Sequence, residues 1–84
     1  MDFKEENFLK ENIEKIKDKY PSGTRIKLVS MDDTYSVPSG TCGTVDFVDD
    51  IGTIHMKWDD GRTIGIIEGV DSFEIIDIEK NIRI

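Results

Sequence analysis

Few residues in this chain could carry out catalysis. The sequence has one histidine, His55, and one cysteine, Cys42. A catalytic nucleophile needs a base within hydrogen-bond reach and a group that orients that base, and the sequence shows no third group beside this pair. A structural zinc site needs four nitrogen or sulfur ligands. We therefore expect no enzymatic activity, no metal site and no cofactor, and we expect His55 at the surface because it alternates with Ile54 and Met56.

Three pairs of adjacent aspartates are the most conspicuous polar feature. They are Asp32-Asp33, Asp49-Asp50 and Asp59-Asp60. Each pair lies in a predicted turn, where an Asp side chain can accept hydrogen bonds from its own backbone. A calcium loop would need six or more oxygen ligands at regular spacing, and no such spacing occurs. Turn formation and partner binding both remain open for these acids.

The net charge of −7 favours some partners over others. Residues 1–20 carry a charge of −1 and residues 21–84 carry −6. A surface this acidic repels phosphate, so we expect no direct nucleic-acid binding. It could attract a basic protein surface, and an acidic decoy for a nucleic-acid-binding protein is one form that such attraction takes.

Residues 1–20 are predicted to form an amphipathic helix that ends before Pro21 and Gly23. The apolar stripe of this helix consists of Leu9, Ile13, Ile16 and Tyr20. Steps of four, three and four place these side chains on one helix face. We expect Leu9, Ile13 and Ile16 to dock on the rest of the domain, although a partner or a second copy could also cover the stripe.

Residues 21–84 are predicted to form one small β-barrel. Strands are expected at about 24–30, 43–48, 53–58, 62–67 and 72–78, where apolar residues alternate with polar ones. The expected core consists of Ile26, Leu28, Val45, Ile54, Met56, Ile66 and Phe73. Gly61 is expected at positive φ in the turn after the third strand. The fold class is thus mainly β with one N-terminal α-helix, as a five-stranded SH3-like barrel; an OB-fold would need a helix for which there is no room.

A partner-binding surface can be predicted from this arrangement. In an SH3-like barrel the long first loop lies beside the turn after the second strand, and the end of the third strand lies near the same rim. Tyr and Trp are favoured anchors at interfaces. The predicted partner-binding residues are Asp32, Asp33, Tyr35, Asp49, Asp50 and Trp58. Packing in the core for Trp58, and in the loop for Tyr35, is the alternative.

Several short motifs together resemble one protein family. They are Tyr20-Pro21, Gly23-Thr24, Met31-Asp32-Asp33, Gly43-Thr44-Val45, Asp49-Asp50-Ile51-Gly52 and Trp58-Asp59-Asp60-Gly61. In this combination they resemble a small bacterial and phage family, domain of unknown function four-three-one-four, over about residues 20–76. The resemblance implies an SH3-like fold and a setting on phages or mobile elements, and it implies no activity.

The expected function is that of a non-enzymatic protein-binding module, with a protein partner whose surface could be basic. The alternatives are the acidic decoy, acting on a host defence nuclease, and an RNA- or ribosome-associated binder, because the run GTCGTVDFV resembles the start of a KOW element. A single thiol suits a reducing compartment, and neither a signal peptide nor a membrane span is evident. We therefore expect a cytoplasmic protein, in a bacterium or an infected cell, that is a monomer or a weak homodimer.

Overall fold

The described part of the chain contains one helix followed by four antiparallel strands. The structure is a computed structural model, and it describes residues 3–31 and 36–77. Helix α1 spans Phe3–Lys19, and the strands are β1 (Arg25–Ser30), β2 (Cys42–Val48), β3 (Ile54–Trp58) and β4 (Ser72–Asp77). The predicted fold class, mainly β with one N-terminal helix, is confirmed at this level.

Only the second half of α1 packs on the sheet. Ile16 contacts the core, and Ile13 and Ile16 lie beside Gly52 in the turn after β2. An ion pair of 2.8 Å between Lys17 Nζ and Asp50 Oδ1 joins the helix to the same turn. Residues 4–11 are all exposed, including Leu9. The prediction that Leu9 docks with Ile13 and Ile16 is therefore wrong, because the helix extends past the edge of the sheet.

The sheet has the strand order β3-β2-β1-β4. Its long-range element is the pairing of β1 with β4, in which Leu28 lies opposite Phe73. The β2–β3 hairpin is local, with Gly43 opposite Trp58 and Phe47 opposite His55. Among the described residues β3 and β4 do not pair with each other, so the four-stranded sheet is not closed.

Residues 62–67 do not form the predicted strand. Two of its residues bond to the backbone of β3: Ile54 and Ile66 form an isolated bridge with hydrogen bonds of 2.9 and 3.0 Å, and Trp58 N donates to Arg62 O at 2.9 Å. Side chains satisfy other backbone groups of this segment: the Trp58 indole donates to Ile64 O, and Asp71 Oδ2 accepts from Ile67 N. Because these contacts do not form a continuous ladder, the segment is not a strand, and five strands are not confirmed.

The core lies on one side of the sheet. Six of the seven predicted core residues, all except Phe73, are buried. Phe73 is half-buried and makes an edge-to-face contact with Tyr20 at 5.6 Å between ring centroids. The remaining buried side chains are Tyr20, Thr24, Val37, Val48 and Trp58. Alternation along the strands therefore predicts the buried face well. The predicted positive φ of Gly61 is also confirmed, at 94°.

Candidate functional site

The hairpin formed by β2 and β3 presents an aromatic pair on its outer face. Phe47 and His55 lie opposite each other in the ladder, and their rings stack with centroids 4.3 Å apart and planes inclined by 5°. Phe47 is 49% exposed although it is a large apolar residue. A bulge between Val45 and Phe47 causes this exposure, because an extra residue shifts the alternation of the strand so that Val45 and Val48 face inward and Phe47 faces solvent.

Asp49 fixes both the turn and the histidine ring. Its Oδ1 accepts hydrogen bonds from the backbone N–H groups of Ile51, at 3.1 Å, and Thr53, at 2.9 Å. Its Oδ2 lies 2.8 Å from His55 Nε2. These hydrogen bonds, that of His55 first, hold the pKa of the Asp49 carboxyl below its usual range. Since an ionised carboxylate can only accept, Nε2 carries the proton that faces Asp49, and the imidazole is oriented parallel to Phe47.

A second acid flanks the aromatic pair. Asp46 lies next to Phe47 in the bulge and is partly exposed, with Lys57 Nζ 4.0 Å from its Oδ1. An exposed ion pair at this separation contributes little, so Asp46 is available to another cation. We refer to Asp46, Phe47, Asp49 and His55 as the hairpin platform. It combines an exposed aromatic surface with two carboxylates.

The cysteine and the histidine of this chain lie apart in the structure. Cys42 lies five residues before Phe47 in β2, which places it about 16 Å from the position opposite His55 at the usual strand rise. The two residues therefore do not form a dyad. Among the residues that the structure describes, no three His, Cys, Asp or Glu side chains are grouped to hold a metal ion. No helix in that part of the chain is long and apolar enough to cross a membrane.

Of the predicted partner-binding residues, the structure describes Asp49, Asp50 and Trp58. Asp32, Asp33 and Tyr35 lie outside the described residues. Trp58 is in the core, at 3% exposure, and its indole N–H donates to Ile64 O at 2.7 Å. Its ring is therefore not open to a partner, and the alternative role that the sequence allowed for it, packing, applies. Of the three described residues, Asp49 lies against the His55 ring, and Asp50 is exposed in the same turn.

The two acid pairs that the structure describes, Asp49-Asp50 and Asp59-Asp60, form turns and ion pairs. The Asp50 carboxylate, 94% exposed, binds Lys17. Asp59 receives a two-bond contact from the Arg25 guanidinium, at 2.9 and 2.7 Å, which lowers the pKa of its carboxyl. Asp60 Oδ1 accepts from Arg62 N at 3.0 Å. The Asp49 and Asp60 carboxylates thus bind the backbone of their turns, and those of Asp50 and Asp59 form ion pairs with other elements.

Sequence reasoning did not identify Phe47 and His55 as neighbours. The sequence nevertheless contains a signal of their proximity. The turn from Asp49 to Thr53 joins the two residues, and Phe47 and Val48 are consecutive apolar residues where strict alternation would have only one. Two adjacent apolar residues at the end of a strand are compatible with a bulge. A bulge would bring the exposed one opposite His55.

Comparisons with known proteins establish the family and give no activity. No characterised protein and no solved structure matches the chain. The profile of one family, described as Domain of unknown function (DUF4314), matches residues 9–76. This range includes the second half of α1 and all four strands except Asp77, the last residue of β4. The match covers most of the 84 residues and agrees with the resemblance carried by the turn motifs, so the chain belongs to the DUF4314 family.

Proposed function

We propose that this protein is a non-enzymatic protein-binding module that takes an arginine-bearing segment of a partner on its hairpin platform. The observation that supports the proposal is the half-exposed Phe47 ring, held against an imidazole that Asp49 orients. A large aromatic side chain at this exposure costs hydration free energy. Its exposure is accounted for if a partner covers it.

The chemistry of the platform selects the partner. A guanidinium stacks on aromatic faces and pairs with carboxylates in one plane. Asp46 and Asp49 supply the carboxylates beside Phe47. The net charge of −7 draws a basic segment toward the protein. A lysine-bearing segment would receive the same attraction without the planar stacking.

Nucleic-acid binding receives less support from the same face. Across the outer face of the sheet the cations Arg25, Lys27 and Lys57 alternate with Asp46, Glu74 and Asp77. Arg25 is already occupied by Asp59. A phosphate backbone requires a continuous basic surface, so a base stacked on Phe47 would lack phosphate contacts beside it.

Two further expectations belong to this proposal. The fold is proposed to be a variant of the SH3-like barrel in which residues 62–67 take the place of the fourth strand, and the Ile54–Ile66 bridge supports this. The protein is proposed to act in the cytoplasm of a bacterium or of a phage-infected cell, for which the free thiol of Cys42 is suitable.

The test is a titration of the full chain, followed by amide chemical shifts, with a short arginine-rich peptide. A lysine peptide of equal charge and an oligouridine serve as comparison ligands. We expect the arginine peptide to shift the amides of residues 46–49 and 55, and to bind more tightly than the lysine peptide.

Phe47→Ser should abolish these shifts, whereas Val29→Ser, at a similarly exposed sheet position, should retain them. Equal binding by Phe47→Ser would overturn the platform, and binding that depends on charge alone would favour the acidic decoy. Saturable binding of oligouridine in place of the peptide would favour the RNA-associated alternative.

A further inference from the structure

The first half of α1 has an apolar face that the rest of the described chain leaves uncovered. Phe8 is 63% exposed and Leu9 is also exposed. Leu9 and Ile13 line one side of a groove of about 590 Å³, and Ile51, 83% exposed, lines the other. The groove therefore runs between the helix and the β2–β3 turn, and none of the four platform residues lines it.

The charge of α1 differs from that of the rest of the protein. The helix contains five lysines and five carboxylates, so it is formally neutral, and the remaining residues carry the whole net charge of −7. Two copies of the chain would repel each other over most of their surface. The neutral helix face is where that repulsion is least, and the exposed apolar groove lies on the same face.

The distribution of charge along α1 favours an antiparallel arrangement of two copies. Residues 3–11 contain two lysines and three glutamates, giving −1, and residues 12–19 contain three lysines and two acids, giving +1. Antiparallel pairing sets each half against the half of opposite sign. It also sets the positive end of each helix dipole near the negative end of the other.

Helix stability provides a separate reason for pairing. Residues 4–11 form two helical turns without cover from the sheet, and short helices are marginal in water unless one face is buried. Burial of Leu9 and Ile51 against the same residues of a second copy would stabilise both the helix and the turn.

We infer that the groove lined by Leu9, Ile13 and Ile51 is the interface of a homodimer, in which the α1 helices of two copies pack antiparallel across a two-fold axis. The interface is isologous, because the same patch contributes from each copy. A basic protein partner fits this groove less well, since its lysines and acids nearly cancel. The inference does not depend on the proposed role of the hairpin platform.

Sedimentation velocity of the full chain over a wide range of concentrations tests the inference. We expect a reversible monomer–dimer equilibrium that Ile51→Asp weakens by about tenfold or more, as for a central apolar interface residue. Val70→Asp is the matched control, because Val70 is also an exposed aliphatic residue of a turn but lies outside the groove. A purely monomeric wild type, or equal weakening by the two variants, would overturn the inference.

Disulfide trapping tests the arrangement itself. Lys10 lines the groove between Leu9 and Ile13 and would lie near the two-fold axis, whereas Lys15 lies on the opposite side of the helix. In a Cys42→Ser background, Lys10→Cys should form a covalent dimer on mild oxidation, and Lys15→Cys should remain monomeric. Equal cross-linking at the two positions, or none at Lys10→Cys, would refute the antiparallel helix pair. Unchanged circular dichroism confirms that each variant is folded.

Discussion

Replacement of Gly43 by alanine tests how closely β2 and β3 are packed. Gly43 is buried and lies opposite Trp58 in the ladder, and its φ is not in the positive range. A Cβ at this position would lie 2.7 Å from Trp58 Cε3, 3.0 Å from Trp58 Cα and 3.1 Å from Lys57 O. Two of these three atoms belong to the backbone, so a change of rotamer cannot relieve the contact.

The size of the effect follows from two destabilising contributions and one that opposes them. Overpacking of a well-packed site costs about 1–3 kcal/mol, and displacement of the Trp58 ring would also weaken the indole hydrogen bond to Ile64 O, worth about 1 kcal/mol. Alanine also lowers the conformational entropy of the unfolded chain, which stabilises the folded state by about 0.4–1 kcal/mol. We expect Gly43→Ala to reduce the free energy of unfolding by about 2 kcal/mol, and Tm by about 10 °C for a domain of this size.

Gly61→Ala is the control, because it tests backbone conformation without a steric contact. A Cβ on Gly61 has no neighbour within 4 Å, but its φ is 94°. We expect a smaller loss, about 1 kcal/mol, from left-handed strain. Thermal and urea unfolding measure both losses. Trp58, the only tryptophan, adds a spectroscopic measurement, since its native emission should change in Gly43→Ala and stay unchanged in Gly61→Ala.

A double-mutant cycle with Trp58→Phe attributes the effect to the contact. The smaller ring removes part of the overlap, so Gly43→Ala should cost less in the Trp58→Phe background, with a coupling energy of about 1 kcal/mol. Gly43→Ala that is as stable as the wild type, with unchanged emission, would refute the reasoning, because the strands would then have room for a methyl group.

Other consequences of the structure can be tested in the same way. Leu28→Ala should reduce the free energy of unfolding by about 2–5 kcal/mol in urea titrations, because the side chain is fully buried; a near-neutral result would contradict the strand phase. Burial and the Glu68 carboxylate raise the pKa of Tyr20 to about 12. The neutral phenol therefore contributes its full stability below about pH 10, the usual pKa of tyrosine, and this stability is lost as the pH rises from about 10 to about 12. Tyr20→Phe should remove this alkaline loss in urea titrations at each pH, and persistence of the loss would assign it to another group. The pKa of Asp49 is lowered in the folded protein, so this carboxylate contributes stability that is present above its usual pKa of about 3.9 and is lost as the pH falls below that value. Asp49→Ala should therefore flatten the fall in stability at acid pH and speed amide exchange at Thr53. Unchanged exchange would show that the turn does not need the carboxylate.

The periodic parts of the fold were predictable from the sequence. Alternation of Ile26 with Leu28, and of Ile54 with Met56, identified buried positions because a sheet with one covered face imposes a period of two. The segment with Ile64, Ile66 and Ile67 has the same composition, yet the Trp58 indole and the Asp71 carboxylate bind its backbone. These bonds span only six and four positions of the chain, but the alternation of apolar residues carries no information about which side chains bond to the backbone.

The site was less predictable than the fold for a related reason. The exposure of Phe47 depends on one bulge, and a shift of one residue exchanges the two faces of a strand. Leu9 has the same helical spacing as Ile13 and Ile16, but the sheet ends before it reaches Leu9. The spacing of apolar residues correctly predicts which face of the helix is apolar. It does not show how far along the helix the sheet covers that face.

The pairing of β1 with β4 has a consequence for the order of folding. Leu28 and Phe73 are neighbours in the sheet but 45 positions apart in the chain (73 − 28), whereas the β2–β3 hairpin closes over a short turn. Loop-closure entropy must be lost before a distant contact forms, and contacts of this kind slow folding. The hairpin can therefore form in microseconds, while attachment of β4 is the later step. Until that step occurs, β1 keeps one unpaired edge, and a second chain in the same state could pair with it. The time that β4 takes to dock thus sets how long the chain is open to edge-to-edge aggregation.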